Sequence, residues 1–179
     1  INAFNTSPKF KKRIETTNVE AYKYYLEAKY IFDKRNNIED AEIARELLLK
    51  AIEMDNDLFC AKNLLGHMYQ QTGDFQNAMQ VYKEVLSNAE ENNEKIAIGN
   101  ALNNIGYMLI NTGHYDEALK YQTKSLLIKE ELDDTYGIGN TLNNIGIVNS
   151  LQIETAYSTD LVFVSYASSL FNSQYSKSV

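Results

Sequence analysis

The sequence predicts an all-α fold in which antiparallel helical hairpins are stacked in tandem. The first observation is an internal echo: residues 97–106 and 137–146, 40 positions apart, differ only at their first and fifth residues. A segment that recurs at a fixed spacing is typical of a repeat array. The second observation is composition, because the 179 residues contain one Pro and no Trp. Few Pro, together with many Ala, Leu, Glu and Lys, favour helix.

The same composition narrows the class of function. A formal net charge of −7 argues against non-specific binding to nucleic acid. No apolar run approaches the roughly 18 residues that suggest a membrane span, so we expect no membrane contact. The single cysteine, Cys60, excludes an internal disulfide and fits a reducing, cytoplasmic compartment. The chain starts at Ile1 and shows no signal peptide, so we expect a piece of a longer polypeptide.

The repeat extends beyond the two matching ten-residue segments. Each unit has a small residue, then a glycine seven residues later, an aromatic residue two after the glycine and an alanine three after the aromatic residue. Small residues let two helix axes approach closely where they cross. A glycine accepts the left-handed conformation that ends a helix, and Asp74 is placed to cap the helix that follows. The recurring positions are Gly66, Gly106 and Gly146; Gly73 and Gly113; Phe75 and Tyr115; and Ala78 and Ala118.

Residues 1–17 show no helical period and carry a basic cluster beside the only proline. This segment is predicted to be a linker from an upstream domain, and a contact for an acidic partner is the alternative. The cluster comprises Lys9, Lys11, Lys12 and Arg13.

The repeat register then predicts hairpins over about 18–54, 58–90 and 94–132, with the start of a fourth at 135–150. Asn18 is the expected N-cap of the first helix. Ala28 and Ala44 are the expected packing residues of the first hairpin. They lie 16 residues apart, against 12 for Gly66 and Ala78, which indicates a four-residue insertion in this hairpin.

The fourth unit departs from the register after Gly146. Gly, an aromatic and Ala are expected at 153, 155 and 158, where the chain has Ile153, Thr155 and Ser158. Residues 151–179 are therefore an atypical segment: a capping helix over about 158–172, a strand-like or loose tail, or an altered terminus. An apolar set in this segment suggests a self-association surface and a possible homodimer. The set is Leu161, Phe163, Tyr166 and Phe171.

Two units resemble the tetratricopeptide repeat (TPR) family. The matching residues are Leu65-Gly66, Tyr69, Gly73-Asp74-Phe75, Ala78 and Tyr82 in one unit, and Ile105-Gly106, Gly113, Tyr115 and Ala118 in the next. The spacing of 40 is similar to a longer subtype of this family, whose usual period is about 34. The resemblance implies a TPR solenoid with a right-handed superhelix, acting as a non-catalytic scaffold that binds a protein or peptide.

Residues 11–30 carry a second resemblance. The run Lys11-Lys12-Arg13-Ile14-Glu15-Thr16-Thr17-Asn18-Val19-Glu20-Ala21-Tyr22, continued by Tyr25-Leu26 and Ala28-Lys29-Tyr30, is similar to the start of TPR arrays in bacterial adenylate-cyclase-like signalling proteins. It implies a fragment of a larger bacterial signalling protein.

One face of the first helix of each unit carries a row of polar side chains. Its positions step by three, four and three residues, which places them on one side of a helix. In TPR arrays this side lines the concave groove, where an Asn can pair with the backbone of an extended peptide. The alternative is that these Asn residues bond within the array, as expected for Asn104 and Asn144. The predicted groove residues are Asn63, His67, Gln70, Asn100, Asn103, Tyr107, Asn140 and Asn143.

The sequence contains no constellation expected of an enzyme. His114 occupies the slot that Asp74 fills one unit earlier, so a capping role is expected. Cys60 and His67 could face the same way, but two ligands fall short of the usual four for zinc. The acidic turns around 88–94 and 131–134 lack the ligand pattern of a calcium loop. We therefore predict no catalytic activity, no metal and no cofactor.

Overall fold

The computed structural model describes the backbone of residues 18–175 and the side chains of residues 18–155 and 157. All regular structure in this part of the chain is helical, so the predicted all-α class is confirmed. The chain divides into two compact units, residues 1–81 and 82–179. The helices are α1 (Val19–Lys34), α2 (Ile38–Met54), α3 (Phe59–Gln71), α4 (Phe75–Glu91), α5 (Lys95–Asn111), α6 (Tyr115–Glu131) and α7 (Thr135–Tyr175).

The first unit contains the α1–α2 hairpin with α3 packed against it. Asn18 is the N-cap of α1, as predicted, because its side-chain oxygen accepts from the backbone N–H of Ala21. Its amide also donates to the Met54 carbonyl over 3.0 Å, which ties the start of α1 to the end of α2. The core of this unit is apolar. It contains Ala21, Ala28, Phe32, Ala44, Leu48, Ala51, Leu58, Ala61, Leu65 and Met68.

The insertion predicted in the first hairpin lengthens its helices and not its turn. The turn over residues 35–37 has three residues, like the turn over 72–74. Helix α1 runs six residues beyond Ala28, whereas α3 runs five beyond Gly66. Helix α2 starts six residues before Ala44, whereas α4 starts three before Ala78. The four extra residues are therefore one in α1 and three in α2.

Four later turns, at 72–74, 92–94, 112–114 and 132–134, share one geometry. In each, the N–H of the third residue donates to the carbonyl five residues earlier over 2.9 Å, which closes the preceding helix. The middle residue is left-handed, with φ of 78° at Gly73, 55° at Asn93, 79° at Gly113 and 53° at Asp133. The two glycines confirm the prediction, and Asn93 with Asp133 are additions to it. The turns recur every 20 residues.

Within the second unit, α5 and α6 form a hairpin and α7 packs against both. Helix α7 has 41 residues and includes the segment 151–175, so the chain does not turn where the repeat register places a glycine. The side chains of Leu161, Phe163, Tyr166 and Phe171 lie outside those described, as does the predicted linker over residues 1–17.

Candidate binding surface

Asn103 is the centre of a polar network in the second unit. Its side-chain oxygen accepts from the Thr141 hydroxyl at 3.1 Å and from the Asn144 amide at 3.2 Å. Both donors belong to α7 and are buried. The half-buried Asn103 therefore joins α5 to α7, which is the alternative that the sequence left open for this row. Asn144 makes the inter-helix bond expected of it.

Polar side chains also hold α6 against its neighbours. Gln122 donates to the Asn103 carbonyl at 3.0 Å, and Ser125 donates to the Gly99 carbonyl at 2.7 Å. Lys129 reaches the Thr141 hydroxyl at 3.1 Å and is only 4% exposed. Burial lowers the pKa of Lys129, and Asp134 opposes this shift. Sequence analysis missed these three residues because their polar character hides them from a search for apolar periodicity.

The remaining predicted groove residues of this unit are more accessible. Asn100 and Tyr107 on α5 are half-buried, and Asn140 and Asn143 on α7 are exposed. Since Asn103 couples the two helices, the two copies of the amide-bearing segment lie side by side. This arrangement offers amide donors and acceptors at neighbouring positions, which can bond the backbone of an extended chain.

In the first unit, His67 contacts Phe32 edge-on, with ring centroids 5.7 Å apart, and its Nε2 lies 3.1 Å from the Gln71 amide. Partial burial and the positive charge of Arg35 lower its pKa. Asn63 and Gln70 are half-buried and have polar partners of their own. His67 is exposed yet in contact with Phe32 and Gln71, so none of the three side chains is without a partner.

The predicted packing residues fall into two groups. Ala28, Ala44, Ala78 and Ala118 are fully buried, and Gly66 and Gly106 are buried too. A Cβ on Gly106 would lie 2.6 Å from the Gln122 amide nitrogen, so a larger residue here requires the Gln122 side chain to shift. Gly146 differs, because among the described residues nothing lies within 4 Å of its Cβ direction. In this part of the chain no second helix returns along α7.

A cavity of about 640 Å³ lies in the first unit between the turns at 35–37 and 72–74. Phe32 and Tyr69 line it together with two arginines. Arg35 stacks on the Phe32 ring, 3.9 Å from its centroid, and Arg45 is paired with Glu42. Both arginines are therefore already engaged.

His114 does not cap α6 with its side chain, contrary to the prediction. Its Nδ1 lies 3.0 Å from the Thr112 hydroxyl, so the imidazole turns back towards the preceding helix. At the equivalent position Asp74 does cap α4, by accepting from the backbone N–H of Asn77 at 3.2 Å. The short carboxylate reaches this N–H, whereas the imidazole is held by Thr112.

Among residues 18–155 and 157, no three His, Cys, Asp or Glu side chains come together as metal ligands would. Cys60 is half-buried and His67 is engaged with Phe32 and Gln71. None of the helices in the described part of the chain combines the length and apolar character needed to cross a membrane.

The geometry defines a class: an all-α protein of tandem antiparallel hairpins, closed by recurrent glycine-type turns and packed through small residues. Family models make the class specific, since residues 61–92 and residues 99–132 each match the family described as Tetratricopeptide repeat. The two matches support the resemblance that the sequence pattern indicated for these two units. Such repeats generally mediate interactions between proteins. None of the curated proteins compared with the chain matches it.

Proposed function

We propose that the chain is a non-catalytic, protein-binding scaffold that holds an extended peptide along α5 and α7. The observation that carries the proposal is the bridge from Asn103 to Thr141 and Asn144, which aligns the two amide-bearing helices. In this proposal Asn103 does not contact the peptide and instead positions α5 and α7 relative to each other. The peptide contacts fall to Asn100, Tyr107, Asn140 and Asn143.

The wider setting of the proposal follows from the resemblances in the sequence. Residues 11–30 support a place in a larger bacterial signalling protein. The single cysteine supports a cytoplasmic location. Asn63, His67 and Gln70 in the first unit remain groove predictions from the repeat register.

Selection from a displayed library of random 12-residue peptides tests the peptide-binding proposal. The affinity of a selected peptide is measured for the full chain and for the double variant Asn100→Ala with Asn140→Ala. Loss of two hydrogen bonds should weaken binding about tenfold or more. The matched control is Asn111→Ala with Asn149→Ala, two exposed asparagines outside the predicted row, which should bind like the parent.

A second measurement asks whether the peptide is held through its backbone. N-methylation of single peptide bonds should weaken binding at several positions, whereas side-chain truncation to Ala should be tolerated at most positions. Equal affinity of the two double variants, or dependence on side chains alone, would count against the amide row.

Self-association is a second candidate function, and the length of α7 favours it. Val148 is the last buried residue described on this helix, yet the helix continues to Tyr175. We propose that Leu161, Phe163, Tyr166 and Phe171 pack against another copy. Light scattering should then show a dimer for the full chain and a monomer for the chain cut after residue 150. A parent chain that is monomeric at high concentration would exclude this candidate.

A further inference from the structure

Helix α7 carries an open face, defined here by Gly139, Leu142, Asn143 and Gly146. Leu142 is 50% exposed, and among the residues that the structure describes a Cβ on Gly139 or Gly146 would meet nothing within 4 Å. A leucine between two glycines that face open space is unusual for a solvated helix, since glycine destabilises a helix interior and leucine is costly to expose.

The same residues in α5 show what such a face accommodates. The equivalent positions are Gly99, Leu102, Asn103 and Gly106, and Leu102 is only 5% exposed. Helix α6 lies against the two glycines at this face. A Cβ on Gly99 would lie 3.2 Å from Ile128, and one on Gly106 would lie 2.6 Å from Gln122.

The bonds between α5 and α6 use backbone acceptors that α7 also possesses. Gln122 donates to the carbonyl of Asn103, and Ser125 donates to the carbonyl of Gly99. The corresponding carbonyls in α7 belong to Asn143 and Gly139. Because 97–106 and 137–146 differ only at their first and fifth residues, the open face has the same shape and the same acceptors.

Within the part of the chain that the structure describes, no segment covers this face, because the turn is missing. Gly113, the middle residue of the α5–α6 turn, has a φ of 79°. The equivalent residue of α7 is Ile153, and a β-branched residue strongly disfavours that conformation. Helix α7 therefore continues to Tyr175, and residues 154–175 extend along its axis instead of returning.

We propose that the open face of α7 binds a helix of a partner protein that carries the contact residues of α6. The partner helix presents a glutamine and a serine three residues apart, followed by an aliphatic residue three further on, as Gln122, Ser125 and Ile128 do in α6. Contact is concentrated on the first half of α7, because polar Asn149 and Ser150 replace Leu109 and Ile110 in the second half.

The open face and the proposed peptide groove share Asn143 at their border and are otherwise formed by different residues. Asn140 lies about 120° around the helix from Gly146, at 3.6 residues per turn. A partner helix on the open face and an extended peptide on the amide row can therefore be tested independently.

The test titrates a fluorescent synthetic peptide of residues 115–131, with blocked ends, against the full chain. Saturable binding is expected. Gly146→Leu fills the space that the glutamine would occupy and should weaken binding about tenfold or more. Since nothing surrounds Gly146, this substitution should leave the fold intact, which circular dichroism checks. The control Ser87→Leu adds similar bulk at an exposed residue of α4, outside both proposed surfaces, and should bind like the parent.

A second peptide, with both Gln122→Ala and Ser125→Ala, separates specific contacts from helix formation. Ala favours helix more than either residue, so weaker binding of this peptide would reflect lost contacts. The proposal is overturned if the parent peptide does not saturate, if Gly146→Leu binds it equally well, or if the alanine peptide binds as tightly. It is also overturned if the chain is a dimer that Gly146→Leu dissociates, because a second copy would then occupy the face.

Discussion

Residues 97–106 of α5 and 137–146 of α7 are almost the same sequence in two environments. In α5 the segment is covered by α6 and bridged to α7, whereas in α7 one side of it is open. Leu102 and Leu142 differ tenfold in exposure, at 5% and 50%. Burial is therefore set by which helix lies next to a residue. Matched substitutions in the two segments measure this difference directly.

The largest difference is expected for leucine truncation. Leu102→Ala should lower the free energy of unfolding by about 2–4 kcal/mol, because it removes a buried side chain and leaves a cavity. Leu142→Ala should change it by less than about 0.5 kcal/mol. Urea unfolding followed by circular dichroism gives both values. Similar losses at the two sites would mean that the open face of α7 is covered in solution.

The glycine pair should show effects of opposite sign. Gly106→Ala forces a methyl group against the buried Gln122 side chain and should destabilise the protein by about 1–3 kcal/mol. Gly146→Ala has open space and should stabilise it by about 0.5–1 kcal/mol through helix propensity. The same urea titration compares the two variants. A stabilising Gly106→Ala would show that Gln122 can move aside without cost.

The asparagine pair tests the polar network. Asn103→Ala removes the acceptor of the buried Asn144 amide, which should cost about 1–3 kcal/mol, whereas the Thr141 hydroxyl keeps the Gly137 carbonyl as an acceptor at 2.9 Å. Asn143→Ala is exposed and should stay within about 0.5 kcal/mol of the parent. Unfolding that is equally unaffected by both substitutions would show that the bonds of Asn103 to α7 add little to stability.

The smallest effect is expected at Lys129, which stands where the preceding repeat has the buried Ala89. Burial lowers the pKa of Lys129 in the folded state, so the folded protein binds this proton less readily than the unfolded chain. Lys129→Met should therefore stabilise the protein by about 1 kcal/mol at pH 7. This gain should shrink as pH rises towards 10.5 and the parent lysine loses its charge. A pH-independent difference in urea midpoints would show that the hydrogen bonds of Lys129 offset the cost of burying its charge.

Much of the fold could be predicted because repeats encode local geometry in few residues. The glycines at 73 and 113 predict residues with left-handed backbone conformation in the turns, and Asp74 predicts an N-cap. The turns at Asn93 and Asp133 were less visible, since Asn and Asp adopt this conformation less readily than glycine. His114 was misassigned because a shared position in the repeat does not ensure a shared hydrogen bond.

The candidate site was harder to predict because it depends on what packs against each helix. Helical spacing placed Asn100, Asn103 and Tyr107 on one side of α5, but it could not show that Thr141 and Asn144 bond Asn103. Helical spacing also could not show that the buried face of α6 carries polar side chains. The preceding repeat has the buried residues Tyr82, Val85 and Ala89 where α6 has Gln122, Ser125 and Lys129. The helix itself has the same length in both repeats.

The even spacing of the four turns constrains how such a chain can change length during evolution. One helix with its turn occupies 20 residues. Duplicating or deleting 40 residues therefore adds or removes a whole pair of helices, and all remaining side chains keep their position in the repeat. A single extra residue within α5 would instead rotate all later positions of that helix by about 100°. Changes in whole pairs are thus the ones that preserve packing, and they alter the number of surfaces that the array can offer.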